Sequence, residues 1–445
     1  MLDERENMDL SAAIFGGALA QEPFYRAPGY ALVLAGLRCL GVPAGGLFPA
    51  ALLLGTALHA VDTALVACAA RRWFGNRAAL AGGLLFAFDP VMVHYATQAL
   101  DSTLSLALFL LGLNFFAAAV AAPDRAGRWA GAGISWAAAA LVRPSYLVSW
   151  ALAPAFALLQ GGGWRGRMRV AVAALAGALL FAAASAWQWR AGGTAGFLPW
   201  QGAYNLWAAN RPGANGRYYT QRISLPAGLA RANPARAESI ILYQLETGDR
   251  TADIPAMNRH WRARFLGEVS SHPLEWAALM ARKAYALLNN WEQYNNKTFA
   301  FHKARSPWLS WNPICWGIVF MLGVAGAARL CAESPRAALA LAAVWCACAA
   351  GILLFSRALV FACRWPRSSP RSPEAHSARP ASGGAGRGRR SRRLRVPSRS
   401  RVSSHSPISG GSRTARRSSR TMRCSPGRRS RSATTRPRSA RRGRP

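Results

Sequence analysis

Three short stretches carry ionisable residues of types that could do chemistry. The first is Asp3-Glu4, followed by Gln21-Glu-Pro-Phe-Tyr-Arg-Ala-Pro-Gly-Tyr30. The second is Ala99-Leu-Asp-Ser-Thr103, and the third is Leu141-Val-Arg-Pro144. Carboxylates of this kind can move protons, and arginine forks can hold anions. Each also has a plainer use. Asp101 stands just before a helix that starts at Ser102, where N-capping is the ordinary role of an aspartate. The others could be interfacial anchors.

What must position these residues is a membrane bundle. The chain has 445 residues, 52% of them hydrophobic, and a formal net charge of +37. From Arg364 to Pro445 there are 25 Arg, no Lys and one acid, Glu374, so the tail alone carries +24 and the first 363 residues keep +13. The body runs in long uncharged stretches rich in Ala, Leu, Gly, Val and Trp, which excludes a soluble domain of ordinary composition. The eight cysteines form no CxxC pair and no zinc-like spacing, and are read as small apolar side chains.

Apolar length predicts spans at Leu47–Ala70, Ala78–Tyr95, Ser102–Ala121, Trp129–Val142, Ser145–Gln160, Val170–Trp189, Trp311–Ala328 and Ala337–Phe355. Arginines crowd the connections at 71, 72 and 77, at 125 and 128, at 165, 167 and 169, and at 329 and 336, which should face the cytoplasm. Trp129–Val142 and Ser145–Gln160 are both short and read as two helices meeting at the outer surface, with Arg143-Pro144 at their turn. The expected organisation is residues 1–46 as a first outer loop with an interfacial helix near Pro28–Gly41, then 47–190 as a transmembrane bundle. Residues 191–310 form a large periplasmic loop, 311–356 the C-terminal transmembrane helices, and 357–445 a basic low-complexity tail. Within the loop, Met257–Asn289 reads as one or two amphipathic helices interrupted at His272-Pro273.

The charge count puts the acidic start outside with no preceding span, so a helix upstream of Met1 is expected. The tail lacks Lys, Asp, Asn, Gln, Phe and Tyr. It is expected to be unstructured, the product of a shifted reading frame in a GC-rich gene, and uninformative about function. The competing reading is a polybasic arm for anionic lipid or RNA. No nucleic-acid partner is expected. His59 and Asp62 lie one turn apart inside a span, read as a local hydrogen-bonded pair, with a proton relay as the rival. Asn296-Lys-Thr298 fits a glycosylation sequon and is read as chance.

The order of the motifs resembles the GT-C glycosyltransferases, in particular the family 39 branch related to protein O-mannosyltransferases and lipid A aminoarabinose transferases. The likeness runs from Leu2 to about Phe355. Asp3-Glu4 resembles the Asp-Glu pair that opens the family's first outer loop, and Phe24-Tyr-Arg-Ala-Pro-Gly-Tyr30 the end of that loop. Asp101-Ser-Thr103 and Arg143-Pro144 are similar to an acid and an Arg-Pro turn in relatives, and Gly202-Ala-Tyr-Asn205 through Asn210-Arg-Pro-Gly-Ala-Asn-Gly216 to a bacterial outer-loop sequence. The resemblance implies an all-α polytopic fold of the GT-C type and transfer of a sugar from a polyprenyl-phosphate donor to an acceptor hydroxyl. It implies Asp3 as base, Glu4 and Asp101 as orienting acids, Arg26 and then Arg143 on the donor phosphate, and Tyr204, Asn205 and Asn210 over the acceptor. No metal or other cofactor is expected, the partners are the lipid-linked sugar, the bilayer and a lipid, polysaccharide or protein acceptor, and the place is a bacterial inner membrane. A multi-pass transporter and a non-catalytic or truncated paralogue are the alternatives.

Overall fold

The architecture comes from a computed structural model that describes residues 2–17, 24–161, 163–216, 221–225, 233–251, 253–290 and 299–355. The sequon at Asn296 and the basic tail lie outside the described residues. Every regular element among the described residues is helical. At the start, α1 (Leu2–Phe15) and α2 (Gly29–Cys39) precede the long α3 (Leu47–Phe74). They are followed by α4 (Asn76–Ala87), α5 (Pro90–Ala96), α6 (Ser102–Ala121), α7 (Ala126–Val142), α8 (Leu147–Leu159) and α9 (Gly163–Gly192).

Helix α3 (with the short turn before it), α6, α9, α16 (Trp316–Glu333) and α17 (Pro335–Phe355) are each long and apolar enough to cross a bilayer, and α4 with α5 makes a bent sixth candidate. The chain is an all-α polytopic membrane protein. Because successive helices reverse direction, the arginine-bearing connections between α3 and α4, α6 and α7, α8 and α9, and α16 and α17 gather at one end of the bundle. The other end carries α1, α2 and the segment between α9 and α16, and is called the loop end below. As expected, α7 and α8 are short and meet through a 3₁₀ turn at Pro144–Tyr146.

Two spans depart from their continuous apolar readings. The one expected at Trp311–Ala328 starts only at Trp316, after a non-helical stretch at 312–315. Ala78–Tyr95 is broken, and α4 and α5 meet at 58°. Asp89 accepts hydrogen bonds from the backbone N–H groups of Val91 (2.9 Å) and Met92 (3.1 Å) and so caps α5, with Pro90 at its first position. The carbonyls freed at the break are also met. His59 Nε2 lies 3.3 Å from Ala87 O, and Asn312 Nδ2 donates to Phe88 O at 2.7 Å. A break inside hydrocarbon is tolerated only when its backbone groups find partners of this kind.

The bundle core joins Phe116, Trp129, Trp136, Phe156 and Ala173. At the loop end a separate core of Trp200, Tyr204, Trp207, Tyr243, Met257 and Trp261 forms around α10 (Gln201–Asn210), α11 (Pro234–Thr247) and α12 (Ile254–Ser271). Helix α13 (Pro273–Leu288) follows α12 after a break at His272, at the expected place. Two short helices, α14 (Phe299–Lys303) and α15 (Pro307–Trp311), lead into α16. All six cysteines among the described residues are free thiols.

Candidate active site

Because residues 2–15 form a helix, Asp3 and Glu6 stand one turn apart on the same face. Arg26, in the segment leading to α2, donates from Nη1 to Asp3 Oδ1 and to Glu6 Oε2, both at 2.7 Å. Glu4, next to Asp3, is buried. Glu6 was not singled out by its sequence, although its i+3 spacing from Asp3 is the signal that could have found it.

Across the site, Arg143 sits at the end of α7 in extended backbone, just before the 3₁₀ turn. Its Nη2 donates to Asp101 Oδ1 at 2.9 Å and to Ser102 Oγ at 3.2 Å. The capping reading of Asp101 is therefore corrected. The residue occupies the cap position of α6, but its side chain makes no cap hydrogen bond, because the guanidinium claims the carboxylate. A charge-assisted bond outcompetes one to a neutral N–H group.

The two ion pairs form one electrostatic unit. Burial pulls the Arg26 guanidinium down, but Asp3, Glu6 and Asp101 outweigh it and raise its pKa above the ordinary arginine value. Asp101 does the same for Arg143 against burial and against repulsion from Arg26, so the two arginines are neighbours. Tyr30 on α2 is pushed up by burial, then by Asp101 and Glu4, which brings the remaining acid into the same neighbourhood. A close backbone approach holds the halves together. A Cβ on Gly29 would meet Val142 Cγ2 at 2.7 Å and Leu141 O at 2.9 Å, so only glycine lets the Arg26 segment lie this near to Arg143.

Each arginine spends one nitrogen on its acids. Among the described residues, Nε and Nη2 of Arg26 and Nε and Nη1 of Arg143 make no hydrogen bond. The arrangement can accept a tetrahedral oxyanion while keeping carboxylates beside it. Among the described residues, no three His, Cys, Asp or Glu side chains converge as a metal-binding group.

The loop-end domain touches this unit through Asn233. Its Oδ1 caps α11 by accepting from the N–H groups of Ala235 (3.1 Å) and Arg236 (3.2 Å), while its Nδ2 donates to Glu6 Oε1 at 2.8 Å. Tyr204 and Asn210 have partners within the protein. The Tyr204 hydroxyl donates to the buried Glu238 at 2.8 Å. Asn210 Nδ2 donates to Leu354 O at 2.8 Å, and Asn210 Oδ1 accepts from Lys283 Nζ at 3.1 Å. Their polar atoms are used inside the domain and at the end of α17, while Asn205 is half-buried on α10. Lys283, which no sequence pattern singled out, is 1% exposed and also donates to Leu353 O at 2.8 Å.

His59 and Asp62 do not form the local pair expected of them. His59 serves the break between α4 and α5, and both Asp62 carboxylate oxygens are buried without a hydrogen-bond partner among the described residues.

Residues 26–189, a stretch that begins at Arg26 and includes both Asp101 and Arg143, match the family Dolichyl-phosphate-mannose-protein mannosyltransferase. No curated protein and no solved structure matches the chain. Over residues 26–189 the chain is therefore similar to that family of membrane glycosyltransferases.

Proposed function

We propose that the protein moves a sugar from a polyprenyl-phosphate carrier to an acceptor hydroxyl at the loop end of the bundle, which is the periplasmic face of a bacterial inner membrane. The observation that carries this reading is the pair of neighbouring arginines, each held by acids through a single nitrogen and each with further N–H groups unspent. A lipid phosphate presented at the membrane surface fits between them, with its sugar projecting toward the acids.

The reaction is a single displacement. The acceptor oxygen attacks the anomeric carbon, the bond from that carbon to the phosphate oxygen breaks, and the leaving phosphate takes the electron pair. Asp3 receives the acceptor proton, since a hydroxyl cannot be an effective nucleophile near neutral pH without a positioned base. Inversion at the anomeric carbon follows. Arg26 and Arg143 hold the charge that grows on the phosphate. In the resting site Asp3 is tied to Arg26, and the arriving phosphate competes for the same fork and releases the carboxylate toward the acceptor. Glu4, Glu6 and Asp101 orient these groups. The cations that hold the phosphate are side chains, so transfer proceeds without a divalent metal.

The test is transfer of labelled sugar from a polyprenyl-phosphate-sugar pool in membranes carrying the protein. Arg26→Ala and Asp3→Asn should each lower transfer by about 10²-fold or more at unchanged protein level, and a chelator should leave wild-type transfer intact. Full activity in Asp3→Asn would move the base to Asp101. Wild-type membranes silent across several donor sugars would sink the reading.

A further inference from the structure

Helix α13 turns its apolar face away from the protein. Leu274, Ala278, Ala281, Tyr285 and Leu288 recur every three or four residues, so they share one side of the helix. All five are exposed, Leu274 at 84% and Tyr285 at 70%. The opposite side holds the buried Leu279 and Lys283. An amphipathic helix packed only on a soluble domain would show the reverse.

Two bonds fix where α13 sits. Lys283 Nζ donates to Leu353 O in the last described turn of α17, and Asn290 Oδ1, just past the end of α13, accepts from Gly317 N at 3.2 Å in the first turn of α16. Both partners lie at the loop ends of helices long and apolar enough to cross a membrane. Helix α13 therefore lies at the level where two spans leave the bilayer. The apolar surface also continues beyond it. Trp308 and Trp311 are exposed, Trp311 at 89%, just ahead of α16, which the rest of the chain leaves almost wholly uncovered. Tryptophan and tyrosine at the ends of spans mark the interfacial belt.

We infer that the outward face of α13 is seated in the bilayer leaflet at the loop end, as an interfacial helix that holds the loop-end domain down against the membrane. The occupant is lipid and not a second copy of the chain, because the face is continuous with the lipid-facing surface of α16 and lies at the level of its end.

The test places an environment-sensitive fluorescent amino acid at Ala281 or Tyr285, with Leu245 on α11, an equally exposed apolar position, as reference. The full chain is reconstituted in phosphatidylethanolamine–phosphatidylglycerol vesicles, and preparations are matched to wild type in thermal unfolding midpoint. Lipids brominated on their acyl chains should quench the probes at 281 and 285 severalfold more than the probe at 245, and aqueous iodide should do the opposite. Iodide reaching 281 and 285 as freely as 245 overturns the inference. Protection from iodide without quenching by brominated lipid also overturns it, because the face is then covered by protein.

Discussion

Arg143 reaches from the turn between α7 and α8 to place Nη2 2.9 Å from Asp101 Oδ1, at the residue that precedes α6. The two residues are 42 apart in the chain, and their pairing fixes the orientation of a guanidinium whose remaining donors are unspent. Arg143→Lys keeps the charge but not the fork, and a lysine cannot hold Asp101, Ser102 and a phosphate in one plane. Transfer should fall at least tenfold. Asp101→Ala should cost about 1 kcal/mol of stability, because the pair is partly open to solvent. Sugar-transfer assays and thermal unfolding in detergent check the two effects.

Asp62 makes the opposite prediction. Its carboxylate is buried in α3 without a hydrogen-bond partner among the described residues, and an unpaired buried polar group costs about 1–3 kcal/mol. Asp62→Leu should raise the unfolding midpoint and leave sugar transfer within about twofold. A transport relay would require the reverse, so loss of function in a well-folded Asp62→Asn protein would revive that reading.

Lys283 should make stability depend on pH. Burial lowers its pKa from 10.5 to about 8. Between those values the native protein binds fewer protons than the unfolded chain, so stability rises with pH across the window. Below about pH 8 the buried ammonium is held by Asn210 Oδ1 and Leu353 O but still bears its desolvation cost. Unfolding midpoints measured from pH 7.5 to 10 should climb in the wild type relative to Lys283→Met, whose curve lacks this contribution. Parallel curves would show that the lysine does not change protonation on unfolding.

Gly351 is where α17 touches the turn that carries Arg143. A Cβ there would collide with Ser145 O. Gly351→Ala must push α17 or the Pro144–Tyr146 turn aside, at about 1–3 kcal/mol for overpacking. Transfer should drop as well, because the shift moves the anchor of the Arg143–Asp101 pair. Gly323→Ala, where an added Cβ meets nothing within 4 Å, is the matched control and should be silent in both measurements.

Much of the fold was legible in the sequence because hydropathy acts locally. Ser102–Ala121 was expected as one span and is one helix, and Arg143-Pro144 was expected to join two short helices and does. The break inside Ala78–Tyr95 was hidden by the same method. A run of apolar residues counts alike whether straight or bent, while the true signal was Asp89 followed by Pro90. Asp3, Arg26, Asp101 and Arg143 were legible as a set from their order. Glu6 was not, because its place beside Asp3 exists only once residues 2–15 are helical.

The sequence by itself determined that the chain spans a membrane, which end its arginine-rich turns share, and which few charged residues sit at the other end. These follow from composition, length and spacing along the chain. The tertiary structure alone decided the pairings: Asp101 with Arg143 rather than with its own helix, Arg26 between Asp3 and Glu6, and Lys283 and Asn210 on the last carbonyls of α17. A side chain commits to the strongest partner that packing brings within hydrogen-bond distance, and that partner lies 20 to 144 residues away in these cases.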